Sequence, residues 1–159
     1  MAYSMSLTIL IALLWMALNN DWSLAQALIG LFLGFGLLAA AVPLFRTKTY
    51  IRRISYGVLF VASFAKTFLM ANYAMAKAVM TVPVTDMTPA ILTYDTSELR
   101  RFEVAFLAQC ITLTPGTTTI DVAEDRSELV IHAFNGSDLR AIRESITREL
   151  ARPMLRFTR

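Results

Sequence analysis

The sequence has one cysteine, Cys110, and one histidine, His132, in 159 residues. A single cysteine excludes an intrachain disulfide and fits a reducing compartment for the part of the chain that holds it. A single histidine leaves a metal site short of ligands, because such sites draw on several. His132 therefore reads as a structural residue of a strand, and Cys110 as a buried, inert thiol on a helix. Cys110, His132 and Asp121 are scattered over a predicted helix and two strands and carry no nucleophile signature. The chain has no GxxxxGK[ST] phosphate loop, and the TPG at 114–116 is not a substitute for one. These absences leave no catalytic residue, cofactor or metal to assign, so the reading is of a protein that is not an enzyme.

Acidic residues are scarce too, but only in the front half. Residues 1–83 carry one carboxylate, Asp21, against six basic side chains: Arg46, Lys48, Arg52, Arg53, Lys66 and Lys77. Residues 84–159 carry eleven acidic and nine basic side chains, so the net charge of +3 divides into +5 in front and −2 behind. Basic charge on the apolar half points to an anionic membrane surface. It excludes nucleic acid, which needs a basic patch on the soluble part.

What the sequence does have is apolar surface. Hydrophobic residues make up 56% of the chain and charged residues 17%, against about 45–50% and about 25% in ordinary globular chains. Residues 5–18 are almost wholly apolar, and starting at Ala2 brings the run to about 17 residues, the lower limit for a span. No basic stretch precedes it and no small-x-small cleavage site follows, so it reads as a retained helix rather than a signal peptide. Asn19, Asn20 and Asp21 form a polar turn beside Trp22, an aromatic suited to the membrane interface. Ser23 is placed as an N-cap. Residues 24–45 form the strongest spanning segment, with Gln26 its only strongly polar side chain. Gly30 and Gly34 make a GxxxG pair that lets another helix approach closely, either the first helix or a helix of another chain. The basic loop 46–53 then belongs in the cytoplasm by the positive-inside rule, and two spans place the N-terminus there as well.

Residues 54–82 admit two readings. Lys66 sits near the middle, and Ser55, Tyr73 and Lys77 fall within about 20° of it around a helix. One polar stripe on an apolar helix fits a helix lying in the membrane interface. The rival is a third span, in which Lys66 costs about 2.5–3.5 kcal/mol unless a partner covers it. That rival puts the C-terminal part outside the cell. Lys66 and Lys77 either snorkel to headgroups or belong to an interface or an ion path.

From Pro83 the pattern becomes that of a soluble α+β domain. Pro83 and Pro89 frame a linker. Residues 90–94 read as a strand, and Ser97 opens a helix in which Leu99, Phe102, Phe106 and Cys110 share one face. Pro115 and Gly116 end that helix and turn the chain. Residues 117–122 and 128–134 form a hairpin. Ser137 or Asp138 caps a last helix running to about Arg152, with Leu139, Ile142, Ile146 and Leu150 on one face. The predicted organisation is a transmembrane hairpin over 1–45 and a basic loop with an amphipathic or membrane-embedded helix over 46–82. A β-α-β-β-α domain follows over 83–159.

The stretch Ile111–Val122, ITLTPGTTTIDV, followed by Leu129–Phe134, LVIHAF, resembles the E subunits of the multisubunit Mrp-type cation/proton antiporters of bacteria. Further matches run along nearly the whole chain: Leu18–Asn20, Leu28–Gly30, Ala71–Asn72, Pro89 and Thr158–Arg159. Gln109–Cys110 departs from the Asn-Ser expected there. The resemblance implies a small accessory subunit of a seven-subunit plasma-membrane complex that exchanges cytoplasmic Na⁺ for external protons. Its expected partners are the other antiporter subunits and the lipid bilayer, and larger subunits would carry the ion paths. It transfers no catalytic residue. The alternative is a membrane-anchored regulatory module that binds a ligand or a protein through its soluble domain.

Overall fold

The computed structural model describes residues 2–41 and 48–159. Its contacts divide the chain into two compact units, Met1–Ser55 and Tyr56–Arg159.

The first unit is built on two apolar helices. α1 covers Ala2–Leu18 and α2 covers Leu24–Ala40. Between them Asn20 adopts a left-handed φ of 49°, which asparagine tolerates better than most residues. Asp21 Oδ1 accepts the Ser23 amide at 2.9 Å, and Ser23 Oγ caps α2 by accepting the Gln26 amide at 3.4 Å. α2 stops at Ala40, with the Ala41 amide bonded to Leu37 O. The expected 22-residue segment is therefore a 17-residue helix, and its predicted tail, 42–45, lies outside the described residues.

The expected basic loop 46–53 is largely helix. Residues 46 and 47 lie outside the described residues, and α3 covers Lys48–Thr81 without a break. Lysine and arginine are good helix formers, and nothing between Lys48 and Thr81 is a proline. The first turns of α3 belong to the first unit, where Tyr50 is buried.

The second unit takes the rest of α3 and the α+β domain. After a 3₁₀ turn at Val84–Asp86 come β1 (Ala90–Asp95), α4 (Arg101–Leu113), β2 (Thr117–Val122) and β3 (Glu128–Ala133). The strands form one antiparallel sheet in the order β1-β3-β2, with Leu92 opposite Ile131 and Tyr94 opposite Leu129. Asp138 caps the last helix by accepting the Ala141 amide at 2.9 Å. That helix runs as α5 (Leu139–Ser145), a π-helical turn (Ile146–Ala151) and α6 (Arg152–Thr158). It continues past the expected stop at Arg152 because Pro153 enters at the start of α6. There the preceding π turn takes up the mismatch between the proline ring and the helical ladder.

The core joins Leu92, Leu129 and Ile131 of the sheet to Leu107 and Ile111 of α4 and to Ile146, Leu150 and Met154 of the last helix. Phe60 of α3 enters the same core. Its ring centroid lies 5.5 Å from Phe106 and 5.2 Å from Phe157, within the range for favourable aromatic pairs.

Two expectations for α4 are corrected. Ser97 does not open the helix: its amide is held by Asp95 Oδ1 at 2.9 Å, and the buried Thr96 donates to Arg126 O at 2.8 Å. Helix begins only at Arg101, where Glu103 reaches back to accept the Arg100 amide at 2.9 Å. Leu99 thus falls outside the helix, whose buried face is Glu103, Val104, Leu107, Cys110 and Ile111, with Phe102 65% exposed.

Candidate functional site

In the first unit the packing seam is made mainly of small residues, with Met16 and Leu38 at one end of each row. Ser4, Thr8, Ala12 and Met16 recur every four residues along α1 and are buried, as are Gly30, Gly34 and Leu38 along α2. A Cβ on Gly30 would lie 2.8 Å from Ala12 Cα, and one on Gly34 would lie 3.0 Å from Thr8 O. The glycine pair thus faces α1, with the helices running antiparallel at close approach. Thr8 Oγ1 donates to Ser4 O and pairs with the Tyr50 hydroxyl, both at 3.0 Å. Trp15 Nε1 donates to Gln26 Oε1 at 2.8 Å, so the carbonyl of the most polar side chain of α2 takes its donor from α1. The small-residue stripe of α1 was legible as S-x3-T-x3-A, but its single polar atoms were masked by the surrounding leucines. The outward faces stay apolar: Leu10, Leu14, Leu28 and Phe32 are exposed. Large exposed apolar patches mark contact with lipid or protein.

In the second unit, the TPG turn is stitched by threonines. Gly116 has φ +98° and its carbonyl accepts the Phe134 amide at 2.9 Å. Thr114 and Thr117 donate to Cys110 O and Ile111 O at 2.9 and 3.0 Å, and Thr119 Oγ1 donates to Ala108 O at 3.2 Å. Cys110 O is one of the last four carbonyls of α4, which lack an intrahelical donor, and Ile111 O takes the Thr114 amide at 3.2 Å as well as the Thr117 hydroxyl. The distinctive ITLTPGTTT segment is therefore a helix-to-strand joint, with Pro115 and Gly116 at its bend.

Glu103 is the one buried carboxylate of the domain, 1% exposed. It accepts from Thr158 Oγ1 at 2.7 Å and from Arg159 at 3.0 and 3.3 Å, besides the Arg100 amide. Burial alone would raise its pKa. The Arg159 bonds and those from Arg100 and Thr158 outweigh burial and hold the carboxyl down at about 2. The cluster ties the last two residues of the chain to the first turn of α4. Sequence pattern gave no sign of it, because the partners are 55 and 56 residues apart. Cys110 is buried and its thiol is pushed up to about 11, whereas His132 lies exposed on the sheet. The structure does not bring them together as a dyad.

A groove of about 870 Å³ is lined by α3, the last helix and the TPG turn. Lys66, Met70 and Ala74 line one wall, and Ile142, Ile146 and Pro153 the other. Lys66 and Lys77 are both exposed, and among the described residues neither forms an ion pair. Lys77 does not line the groove. Around α3, the side that meets the domain carries Phe60, Phe64 and Met75. The opposite side carries the exposed Val58, Val61, Leu69, Val79 and Met80. At about 100° per residue the two lysines stand at the border between these faces.

Two apolar helices, a third apolar helix long enough to cross a membrane and a small α+β domain make up the described residues, which hold no metal-ligating cluster. A family model described as "Na+/H+ ion antiporter subunit" matches residues 8–157, and the chain belongs to that family. The Na(+)/H(+) antiporter E subunit of Alkalihalophilus pseudofirmus is 30% identical over 135 residues, 85% of either chain. That of Bacillus subtilis is 31% identical over 138 residues, 87% of either chain. A chain of the membrane-bound sulfane sulfur reductase, an archaeal respiratory membrane complex, is similar in fold. It has a TM-score of 0.57 and 23% identity, and the match covers 97% of this chain and 98% of that one.

Proposed function

We propose that this chain is an accessory and assembly subunit of a bacterial multisubunit antiporter that exchanges cytoplasmic Na⁺ for external H⁺. Family membership and relatives named as antiporter E subunits support the complex. The accessory role rests on chemistry. A proton or cation path through lipid draws on carboxylates or histidines at membrane depth, and α1, α2 and α3 contain none in their sequences. The chain therefore contributes shape and contact, and larger partner subunits carry the ions.

In this reading residues 1–45 are a transmembrane hairpin, 46–82 a basic segment and membrane-surface helix, and 83–159 a cytoplasmic domain. The 17-residue helices are about 25 Å long, just short of a typical hydrocarbon layer of about 30 Å. A shortfall of this size is met by local thinning of the bilayer. α3 alone, by length and apolarity, also suits a span. The observation that favours the surface placement is Phe60, buried against Phe106 and Phe157 of the soluble domain. A centrally spanning α3 would draw the loops and charges of that domain into hydrocarbon, where exposed backbone is not tolerated. Lying in the interface, α3 turns its domain-free apolar face to lipid and lets Lys66 and Lys77 snorkel from its borders.

Single cysteines at Thr47 and Ser137, with Cys110 replaced, test the topology against an impermeant thiol reagent in intact cells. Both sites should stay unlabelled. Labelling at Ser137 with Thr47 protected would establish three spans and overturn the placement.

A further inference from the structure

The groove between α3 and the last helix has a charge pattern that selects one kind of occupant. Its walls are mostly apolar: Met70 and Ala74 on one side, Ile142 and Ile146 on the other. Three charged side chains line it: Lys66, Arg148 and Glu149. Arg148 Nη2 bonds Glu149 Oε1 at 3.0 Å, so that pair neutralises itself. Lys66 has no ion-pair partner among the described residues and leaves the groove one positive charge in excess. Lys66 and Met70 are exposed as well as groove-lining. They lie about 40° apart around α3, at the margin of its outer apolar face. The mouth of the groove therefore adjoins the face that the surface placement turns toward lipid.

We propose that the groove binds an anionic glycerophospholipid, with an acyl chain between Met70, Ala74, Ile142 and Ile146 and the phosphate on Lys66. This rests on the membrane-surface placement of α3. A lipid supplies both halves of the complementarity, an apolar chain for the walls and one negative charge for the excess lysine. A basic side chain at a membrane surface attracts anionic headgroups. A zwitterionic lipid brings its own cation and gains less from Lys66. The bound lipid would fasten the soluble domain to the bilayer along α3.

The test uses the assembled complex in vesicles doped with phosphatidylglycerol or phosphatidylcholine bearing a photoreactive diazirine on one acyl chain, with adducts mapped by mass spectrometry. Phosphatidylglycerol adducts should fall on groove residues. Their yield should drop about fivefold in Lys66→Gln, equivalent to about 1 kcal/mol at 1.4 kcal/mol per tenfold. Ala74→Trp, which fills the groove and keeps Lys66, should also abolish them while Lys66→Arg retains them. Equal groove labelling by phosphatidylcholine, or labelling indifferent to both Lys66→Gln and Ala74→Trp, would overturn the assignment. Groove adducts in the isolated subunit that vanish in the complex would give the groove to a protein segment and overturn it too. Adducts confined to Val61, Leu69 and Val79 would overturn it while leaving the surface placement standing.

Discussion

Replacing Glu103 by glutamine keeps the size of the side chain and removes its charge. In the native domain the carboxylate is 1% exposed, and Arg159, its cationic partner, is 42% exposed. A hydrogen bond to a charged group contributes about 1.5–3 kcal/mol, and breaking a fully buried pair costs about 3–5 kcal/mol. Arg159 remains half in water after the change, so the lower end applies, and Glu103→Gln should cost about 2 kcal/mol. For a unit of roughly a hundred residues that is a loss of about 10 °C in Tm. The pH dependence separates this pairing from simple packing. The folded carboxyl sits at about 2, below its ordinary value of 4.5. A depressed carboxyl adds stability that is present above about pH 4.5 and lost as pH falls toward 2. Glutamine does not titrate, so the gap between the two proteins should be widest at pH 7 and should shrink between pH 4.5 and 2. The assay is urea unfolding of the detergent-solubilised subunit, followed by circular dichroism at pH 7 and pH 3. An equal gap at both values would refute the ion-pair account and leave Glu103 as a packing residue.

Two substitutions test the joints of the fold. Gly34→Leu places side-chain atoms against the α1 backbone at Thr8 and should cost about 1–3 kcal/mol, as overpacking does. Gly36→Ala, which meets nothing within 4 Å, should be neutral. Unfolding of the purified subunit in graded denaturing detergent would compare them, and equal resistance would refute the seam. At the TPG turn, Gly116→Val forces a branched side chain into φ +98°, costing about 1–2 kcal/mol or more. It should lower the amount of subunit in the membrane, while Gly116→Asn should be milder. Unchanged abundance with lost transport would instead give the turn a direct functional role.

The sequence made the long periodic features legible. Ser23, Asp138, the 117–122 strand and the TPG turn stand close to where local chemistry puts them, because a cap or a proline-glycine pair acts within a few residues. What it hid depends on distant partners. The start of α4 was misread because Asp95 and Arg126 hold Ser97 and Thr96 in a turn, and its face was misread at Phe102 because packing against the sheet and the last helix selects Val104, Leu107 and Ile111. The basic segment was read as loop because charge marks topology, whereas Lys48–Arg53 are also good helix formers. The Glu103 cluster and the groove arise only when residues about fifty or more positions apart meet. Lys66 and Lys77 were visible as a shared face, but only the folded domain separates them, with one on the groove and one off it.

The central claim is that the chain supports the antiporter without carrying its ions. Lys66 and Lys77 are the charges of α3 beyond its basic first turns. Na⁺-dependent proton movement in everted vesicles, normalised to the amount of assembled complex, tests the claim most directly. Lys66→Gln and Lys77→Gln should reduce the amount of assembled complex while leaving exchange per complex nearly unchanged, and the arginine versions should retain both. Intact assembly with exchange abolished in Lys66→Gln would place this lysine in an ion path and contradict the account.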